Sequence, residues 1–175
     1  MPIFVCPLSK LLEMMERHKP TRVVSVLDPG SSFPDLGAPY VEKHLRLEFH
    51  DIHFPVFTYV MPAPAHVDRL LNFMTRWNPE DSLLIHCRAG IGRSTATAFI
   101  AACFRNPHTD EHEIAAALRR AAPFARPNEA LVRLADEALG RKGRMLAAIT
   151  ETGRNLPPLH LAEGEIFQID SVFPR

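Results

Sequence analysis

The sequence predicts a single α/β domain: a central, mostly parallel sheet of four or five strands, flanked by helices on both faces in three layers. Three observations carry this expectation. Strand-like and helix-like segments alternate through the first half of the chain, and helices cluster in the second half. A short apolar strand, Ser82 to Cys87, runs straight into a glycine-bearing turn and then a helix rich in small residues. The length, 175 residues, suits one domain with a sizeable core.

Each element has its own warrant. Ile3 to Cys6 reads as a short strand, and Pro7 to His18 as a helix with Leu8, Leu11, Leu12 and Met15 near helical spacing, stopped by Pro20. Arg22 to Leu27 holds Val23, Val24 and Val26, a β-branched run that suits a buried strand. Asp28 to Ser32 is a turn by composition. Lys43 to Phe49 alternates Leu45, Leu47 and Phe49 with His44, Arg46 and Glu48, the pattern of a half-buried strand. Asp51 to Pro64 is loop-like. Ala65 to Trp77 is an amphipathic helix through Val67, Leu70, Leu71 and Met74, ended by Asn78-Pro79-Glu80-Asp81. Gly92 to Phe104 is a helix whose Ala96, Ala98, Ala101 and Ala102 allow close packing on a sheet. Helices follow near Thr109 to Ala121, capped by Thr109 or Asp110, and Asn128 to Leu139, capped by Asn128, with a third from Arg141 to Ile149. The domain is read as residues 1–150. Residues 151–175, with Pro157, Pro158 and Pro174, read as a tail that could dock on the same domain through Ile166, Phe167 and Ile169.

Composition excludes several functional classes. Lys+Arg and Asp+Glu each total 20, so the formal charge is zero and no broad basic surface for nucleic acid or an anionic membrane is expected. No apolar run reaches the roughly 18–20 residues that span a bilayer. The opening Met-Pro-Ile-Phe-Val-Cys carries no basic region before an apolar stretch, so no secretory signal is expected. Cys6, Cys87 and Cys103 are too sparse for a disulfide framework, and a reducing cytoplasm fits them.

The chemistry lies in His86-Cys87-Arg88-Ala89-Gly90-Ile91-Gly92-Arg93-Ser94. A strand, a tight turn and a helix start aim several backbone N–H groups, and a positive dipole end, at one point. Gly90 and Gly92 permit the backbone such a turn requires. An oxyanion held there needs no side-chain charge. Cys87 sits at the strand's end below this cradle, where a helix N-terminus and neighbouring cations favour the thiolate, the nucleophilic form. Arg93 can fold back from the helix start, and its planar fork matches two phosphate oxygens. Ser94 can donate a hydrogen bond to the Cys87 sulfur.

His-Cys-x-x-Gly-x-x-Arg-Ser resembles the catalytic loop of the protein tyrosine phosphatase superfamily, with His86, Cys87, Gly90, Arg93 and Ser94 at matching positions. The likeness is closest to bacterial dual-specificity and tyrosine phosphatase-like proteins. It extends loosely from Thr21 to Leu139 and includes Arg126-Pro127-Asn128, similar to the Arg-Pro stretch that opens a late helix in dual-specificity phosphatases. The resemblance implies a phosphatase-like three-layer fold and a phosphocysteine intermediate on Cys87. It implies a phosphate site formed by Arg88, Ala89, Gly90, Ile91, Gly92 and Arg93, a hydroxyl at Ser94 that assists breakdown of the intermediate, and a supporting His86. The implied substrate is a phosphoprotein or a small phosphate ester. No metal or organic cofactor is implied.

Expulsion of an alkoxide or phenoxide also needs a proton donor. Members of the superfamily place an aspartate on a mobile loop thirty-odd residues before the cysteine, and Asp51, in His50-Asp51-Ile52-His53-Phe54-Pro55, is the candidate. Asp28 and Asp35 are rivals, although Asp28-Pro29-Gly30 reads as a turn. The chain lacks the Trp-Pro-Asp loop of receptor-type relatives. Asp81 reads as structural. His44, His50 and His53 surround Asp51, but no Cys or Glu spacing completes a tetrahedral metal set. Cys103 reads as core, Trp77 as core or cap, and Arg119-Arg120 as a solvated helix face. The competing functional class is a phosphate-binding interaction module with negligible turnover. Sulfur transfer through a Cys87 persulfide is a weaker alternative, because Arg93 and Ser94 match phosphate chemistry.

Overall fold

The computed structural model describes residues 2–78 and 80–173. The helix stop read at Asn78 to Asp81 and the tail's Pro174 therefore fall partly outside the described residues. One five-stranded sheet organises the chain, in the order β3-β2-β4-β1-β5. Its strands are β1 (Pro2–Pro7), β2 (Arg22–Leu27), β3 (His44–Glu48), β4 (Leu83–Cys87) and β5 (Phe167–Asp170). The first four are mutually parallel, and β5 runs antiparallel along β1, Val5 facing Phe167. The sequence explains the order of burial. The central strands β2 and β4 are mostly apolar, broken by the buried Ser25 and His86, and are covered on both faces. The edge strands β3 and β5 alternate buried with exposed residues.

Six helices flank the sheet: α1 (Leu11–His18), α2 (Pro64–Met74), α3 (Arg93–Arg105), α4 (Glu111–Ala121), α5 (Glu129–Ala138) and α6 (Arg144–Thr152). They are divided unequally. On one face Ile3, Val5, Val24, Val26, Leu47 and Ile85 pack against residues of α2 to α6. On the other, Phe4, Cys6, Val23 and Leu84 pack against Leu11, Met14 and Met15 of α1, with Leu8, Leu36, Tyr40 and Ile166 from the connections. The first eleven residues of α3, Arg93 through Cys103, are all buried. Its alanines make that possible, and Thr95 and Thr97 satisfy their hydroxyls on the carbonyls of Ile91, Gly92 and Arg93. Among the described residues no helix is long and apolar enough to cross a membrane.

Three elements differ in detail from the sequence reading. The helix expected from Pro7 opens as a 3-10 turn, Leu8–Lys10, which offsets the face of α1: Met14 is buried and Leu12 is 66% exposed. Helix α2 stops at Met74, before Trp77. Helix α6 starts at Arg144 rather than Arg141, because Lys142 (φ +54°) and Gly143 (φ +85°) hold left-handed backbone that no α-helix takes; the Arg141 guanidinium turns into the core, donating to Glu111 at 2.8 Å and to the Cys103 carbonyl at 2.6 Å. Asp110 and Asn128 cap α4 and α5, accepting from the His112 and Leu131 amides.

Candidate active site

Strand β4 ends at Cys87 and α3 starts at Arg93, so residues 88–92 form a tight loop at the carboxyl edge of the parallel strands. Neighbouring segments hold the carbonyls of this loop from outside. Arg88 O accepts from Leu8 N at 3.2 Å, Ala89 O from Gly164 N at 2.7 Å, Ile91 O from Arg126 N at 3.0 Å and Gly92 O from Asn128 N at 3.3 Å. All peptides in the described chain are trans, so each outward carbonyl sends the following N–H inward. One of these, Gly90 N, donates to the Cys87 sulfur at 3.2 Å. The amides of Ala89, Ile91, Gly92 and Arg93 donate to no acceptor among the described residues. This is an anion cradle with its donors already aimed. Gly90 is required in it: φ is +73° and a Cβ would lie 2.8 Å from Pro7 N.

The Cys87 sulfur lies at the cradle floor, 1% exposed, with Ser94 Oγ at 3.1 Å. Behind it runs a polar chain that leads in from the surface at Arg46 to the buried His86. Arg46 Nε donates to His44 Nδ1 at 3.4 Å, and His44 Nε2 and His86 Nε2 flank Ser25 Oγ at 2.7 Å and 2.5 Å. A serine hydroxyl carries one proton, so these contacts fix each tautomer. His44 accepts at Nδ1 and donates from Nε2 to Ser25, Ser25 donates to His86 Nε2, and His86 keeps its proton on Nδ1. That N–H makes no well-aligned hydrogen bond and interacts with the Cys87 backbone.

Burial holds both rings neutral. It pushes His86 down to about 4, and pushes His44, with the added charge of Arg46, down to about 4 as well. An unfolded histidine titrates near roughly 6.5, so as pH falls the unfolded chain takes up protons first. The stability linked to this pair is complete above roughly pH 6.5 and is lost as pH falls toward 4. Thermal unfolding followed from pH 7 to 4.5 should show a falling Tm, and His44→Gln should flatten part of that slope. An identical slope in the variant would remove His44 from the chain of contacts.

Arg93 is 4% exposed and anchored along one edge: Nη1 donates to Asp28 Oδ1 at 2.9 Å and to Phe49 O at 2.7 Å. Nε is buried without a partner, and Nη2 also makes no hydrogen bond among the described residues. The Nε–Nη2 edge is the pair of parallel donors that fits two oxygens of one phosphate. The sequence reading took Asp28 as a turn residue. It is one, since Ser31 N bonds its carbonyl at 3.0 Å, but its carboxylate also orients Arg93. The available signal was topological. Asp28 directly follows β2, which pairs with β4 so that Val26 faces Cys87.

Asp51 follows β3 on an exposed loop. Asn128 Nδ2 donates to its Oδ1 at 2.8 Å and to Ile52 O at 3.2 Å, while Asn128 Oδ1 caps α5. The Asp51 carboxylate lies against the Cα of Gly92, where any Cβ would collide with it. The structure thus brings Asp51 against the start of α3, through Asn128, the helix cap of the Arg126-Pro127-Asn128 stretch. Asp35 accepts from Gly37 N at 2.9 Å in its own turn, and Arg88 is exposed. Asp81 accepts from the Asn78 amide at 3.2 Å and lies 3.6 Å from Arg22 Nε. The histidines around Asp51 have separate settings: His44 joins the Ser25 chain, His50 accepts from Val60 N at 2.9 Å, and His53 lines a neighbouring cleft.

The other two cysteines are buried. Burial, then the neighbouring Cys87 and Glu13, pushes Cys6 up to about 12; burial raises Cys103, against the opposing charge of Arg141. Both are thiols at neutral pH, and thiols alkylate poorly. Iodoacetate should therefore modify Cys87 alone in the folded protein, its carboxylate drawn to the cradle. Peptide mass spectrometry showing equal labelling of all three would count against an activated Cys87.

Residues 21–135 match the family model described as "PTP-SAK: Swiss Army Knife protein, DSP-PTPase phosphatase domain". Among solved structures, the chain resembles the human tyrosine phosphatase-like serine/threonine/tyrosine-interacting protein, with TM-score 0.60 and 18% identity over 80% of this chain and 92% of that one. It resembles the PTP-2 phosphatase of Cydia pomonella, with TM-score 0.56 and 20% identity over 77% and 84%. It also resembles the Yvh1 phosphatase domain from Chaetomium thermophilum, with TM-score 0.56 and 18% identity over 82% and 93%. At these identities the structures establish a shared fold. No curated protein matches by sequence.

Proposed function

This chain belongs to the DSP-PTPase phosphatase domains of the protein tyrosine phosphatase superfamily, and from that premise we propose that it hydrolyses phosphomonoesters through a phosphocysteine intermediate on Cys87. The observation that carries this reading is the combination of an amide cradle, a buried sulfur at its floor and an arginine pinned on one edge with its other edge unpaired.

In this mechanism the cradle amides and the Nε–Nη2 edge of Arg93 bind the phosphate dianion. They also bind the equatorial oxygens of the transition state. The Cys87 thiolate attacks phosphorus in line, forming the S–P bond as the ester P–O bond breaks. Asp51 gives its proton to the leaving oxygen. Water then attacks the phosphocysteine and returns a proton to Asp51. Ser94 donates to the departing sulfur, and inorganic phosphate leaves. Substrates are phosphoproteins, with tyrosine or dual specificity, or small phosphate esters.

The test is a rapid-quench experiment on the Ser94→Ala variant with an aryl phosphate. Breakdown should be the slow step there, so a burst of phenol close to one equivalent per enzyme is expected, with phosphate found on Cys87 by mass spectrometry. Steady release with no phosphorylated Cys87 would refute the covalent route. No release at all would favour a binding module.

A further inference from the structure

The C-terminal segment reaches the catalytic loop. Strand β5 runs antiparallel to β1, so the residues that enter β5 lie beside those that leave β1. Leu8 and Gly164 thereby donate to successive carbonyls of the loop: Leu8 N to Arg88 O at 3.2 Å, and Gly164 N to Ala89 O at 2.7 Å. Their chain neighbours are joined across the surface, Ser9 Oγ donating to Glu163 Oε2 at 2.6 Å. Ser9 and Glu163 are exposed, whereas Gly164 is buried between the exposed Glu163 and Glu165. None of these residues lies in the segment that matches the family model, residues 21–135.

The bond to Ala89 bears directly on the sulfur. The Ala89 carbonyl and the Gly90 N–H belong to one planar trans peptide, so a donor that fixes the oxygen on one side fixes the N–H on the other. That N–H is the one 3.2 Å from the Cys87 sulfur. A peptide that precedes glycine turns over readily, because glycine takes either sign of φ. Turned over, this one would aim its oxygen at the sulfur, against a thiolate. Gly164 N is the one donor to the Ala89 carbonyl among the described residues. It approaches this closely because it carries no side chain: a Cβ there would collide with the Phe124 ring and lie 3.0 Å from Gly90 O.

Resting on the phosphatase reading, we propose that Gly164 is a positioning residue of the catalytic loop: the tail, held beside Leu8 by the Ser9–Glu163 contact, fixes the 89–90 peptide so that its N–H stays on the Cys87 sulfur. The tail is then part of the catalytic machinery without touching substrate.

The test is the rate of Cys87 alkylation by iodoacetamide as a function of pH, read by peptide mass spectrometry on the full chain. The reagent is neutral, so its rate does not depend on anion binding in the cradle. A hydrogen bond to a charged group is worth about tenfold, so Gly164→Ala should move the profile about one pH unit upward, with its high-pH plateau within about threefold of the parent's. The substitution leaves in place the other polar groups at or behind the sulfur, Ser94, His86 and Cys6. Cys6 and Cys103 report the fold in the same sample, since both are buried and should stay unlabelled. Ser9→Ala alters no charge and no buried group, and should slow alkylation at least about twofold below the plateau. Ser9→Thr keeps the hydroxyl and should keep the parent profile. A parent-like profile in Gly164→Ala, with Cys6 and Cys103 still protected, overturns the proposal. So does a lower plateau without a shift along the pH axis, which would mean altered access alone. If Gly164→Ala exposes Cys6 or Cys103, Ser9→Ala decides, and a parent-like profile there overturns the proposal. A parent Cys87 that alkylates like a cysteine of the denatured chain at every pH removes the phosphatase reading and this proposal together. An activated parent with unshifted variants removes this proposal alone.

Discussion

Cys87→Ser should lower turnover of every phosphomonoester at least about a thousandfold while oxyanion binding survives. A serine hydroxyl is a far weaker nucleophile than a thiolate, and no base lies in position to activate it: His86 is turned toward Ser25 and the Cys87 backbone. The binding surface does not depend on the sulfur. The loop carbonyls remain tied to Leu8, Gly164, Arg126 and Asn128, and Arg93 remains on Asp28 and Phe49. Vanadate or tungstate should therefore bind the variant by calorimetry, within a few-fold of the parent affinity, while steady-state kinetics fall to background. Turnover above roughly a thousandth of the parent would sink the covalent mechanism. Loss of oxyanion binding would instead mean that the sulfur, through its contact with Gly90 N, holds the loop in shape.

The segment from His86 to Ser94 could be read directly because its chemistry is contiguous. One strand end, one turn and one helix start bring Cys87, the loop amides and Arg93 together with no long-range assumption. The central strands are equally legible, since buried parallel strands carry dense β-branched and aliphatic residues on both faces, here Val23, Val24, Val26 and Leu27 in β2 and Leu83, Leu84 and Ile85 in β4. What could not be read comes from chain crossings. Asp28, Asn128 and Gly164 reach the loop from three distant segments, because a parallel sheet gathers its connections at the carboxyl edge. No spacing in the sequence encodes that gathering. Strand β5 is four residues long, too short for alternation to stand out in a segment otherwise read as tail, and it is defined by pairing with β1. Arg119 read as a solvated helix position because charge usually is. Its guanidinium instead turns to the carbonyls of Pro123 and Ala125, which helix periodicity alone cannot indicate.

Asp51→Asn should slow the reaction in proportion to how badly the leaving oxygen needs a proton. General acid help is typically worth about 10²–10⁴-fold, and that loss is expected for phosphotyrosine and alkyl phosphates. For an aryl phosphate with a strongly acidic phenol, about tenfold or less is expected, since that oxygen departs unaided. The substitution isolates the proton well. Asparagine keeps an amide oxygen for Asn128 Nδ2, so the loop stays in place, whereas Asp51→Ala would also release it. Asp28→Asn is the contrasting variant. It weakens the anchor of Arg93, which in the proposed mechanism binds phosphate whatever the alcohol, and should slow all substrates by a similar factor. A plot of log kcat against leaving-group basicity should therefore steepen for Asp51→Asn and shift in parallel for Asp28→Asn. If Asp51→Asn also shifts in parallel, Asp51 only supports the cradle through its contact with Gly92, and the donor must be sought at Asp28 or Asp35.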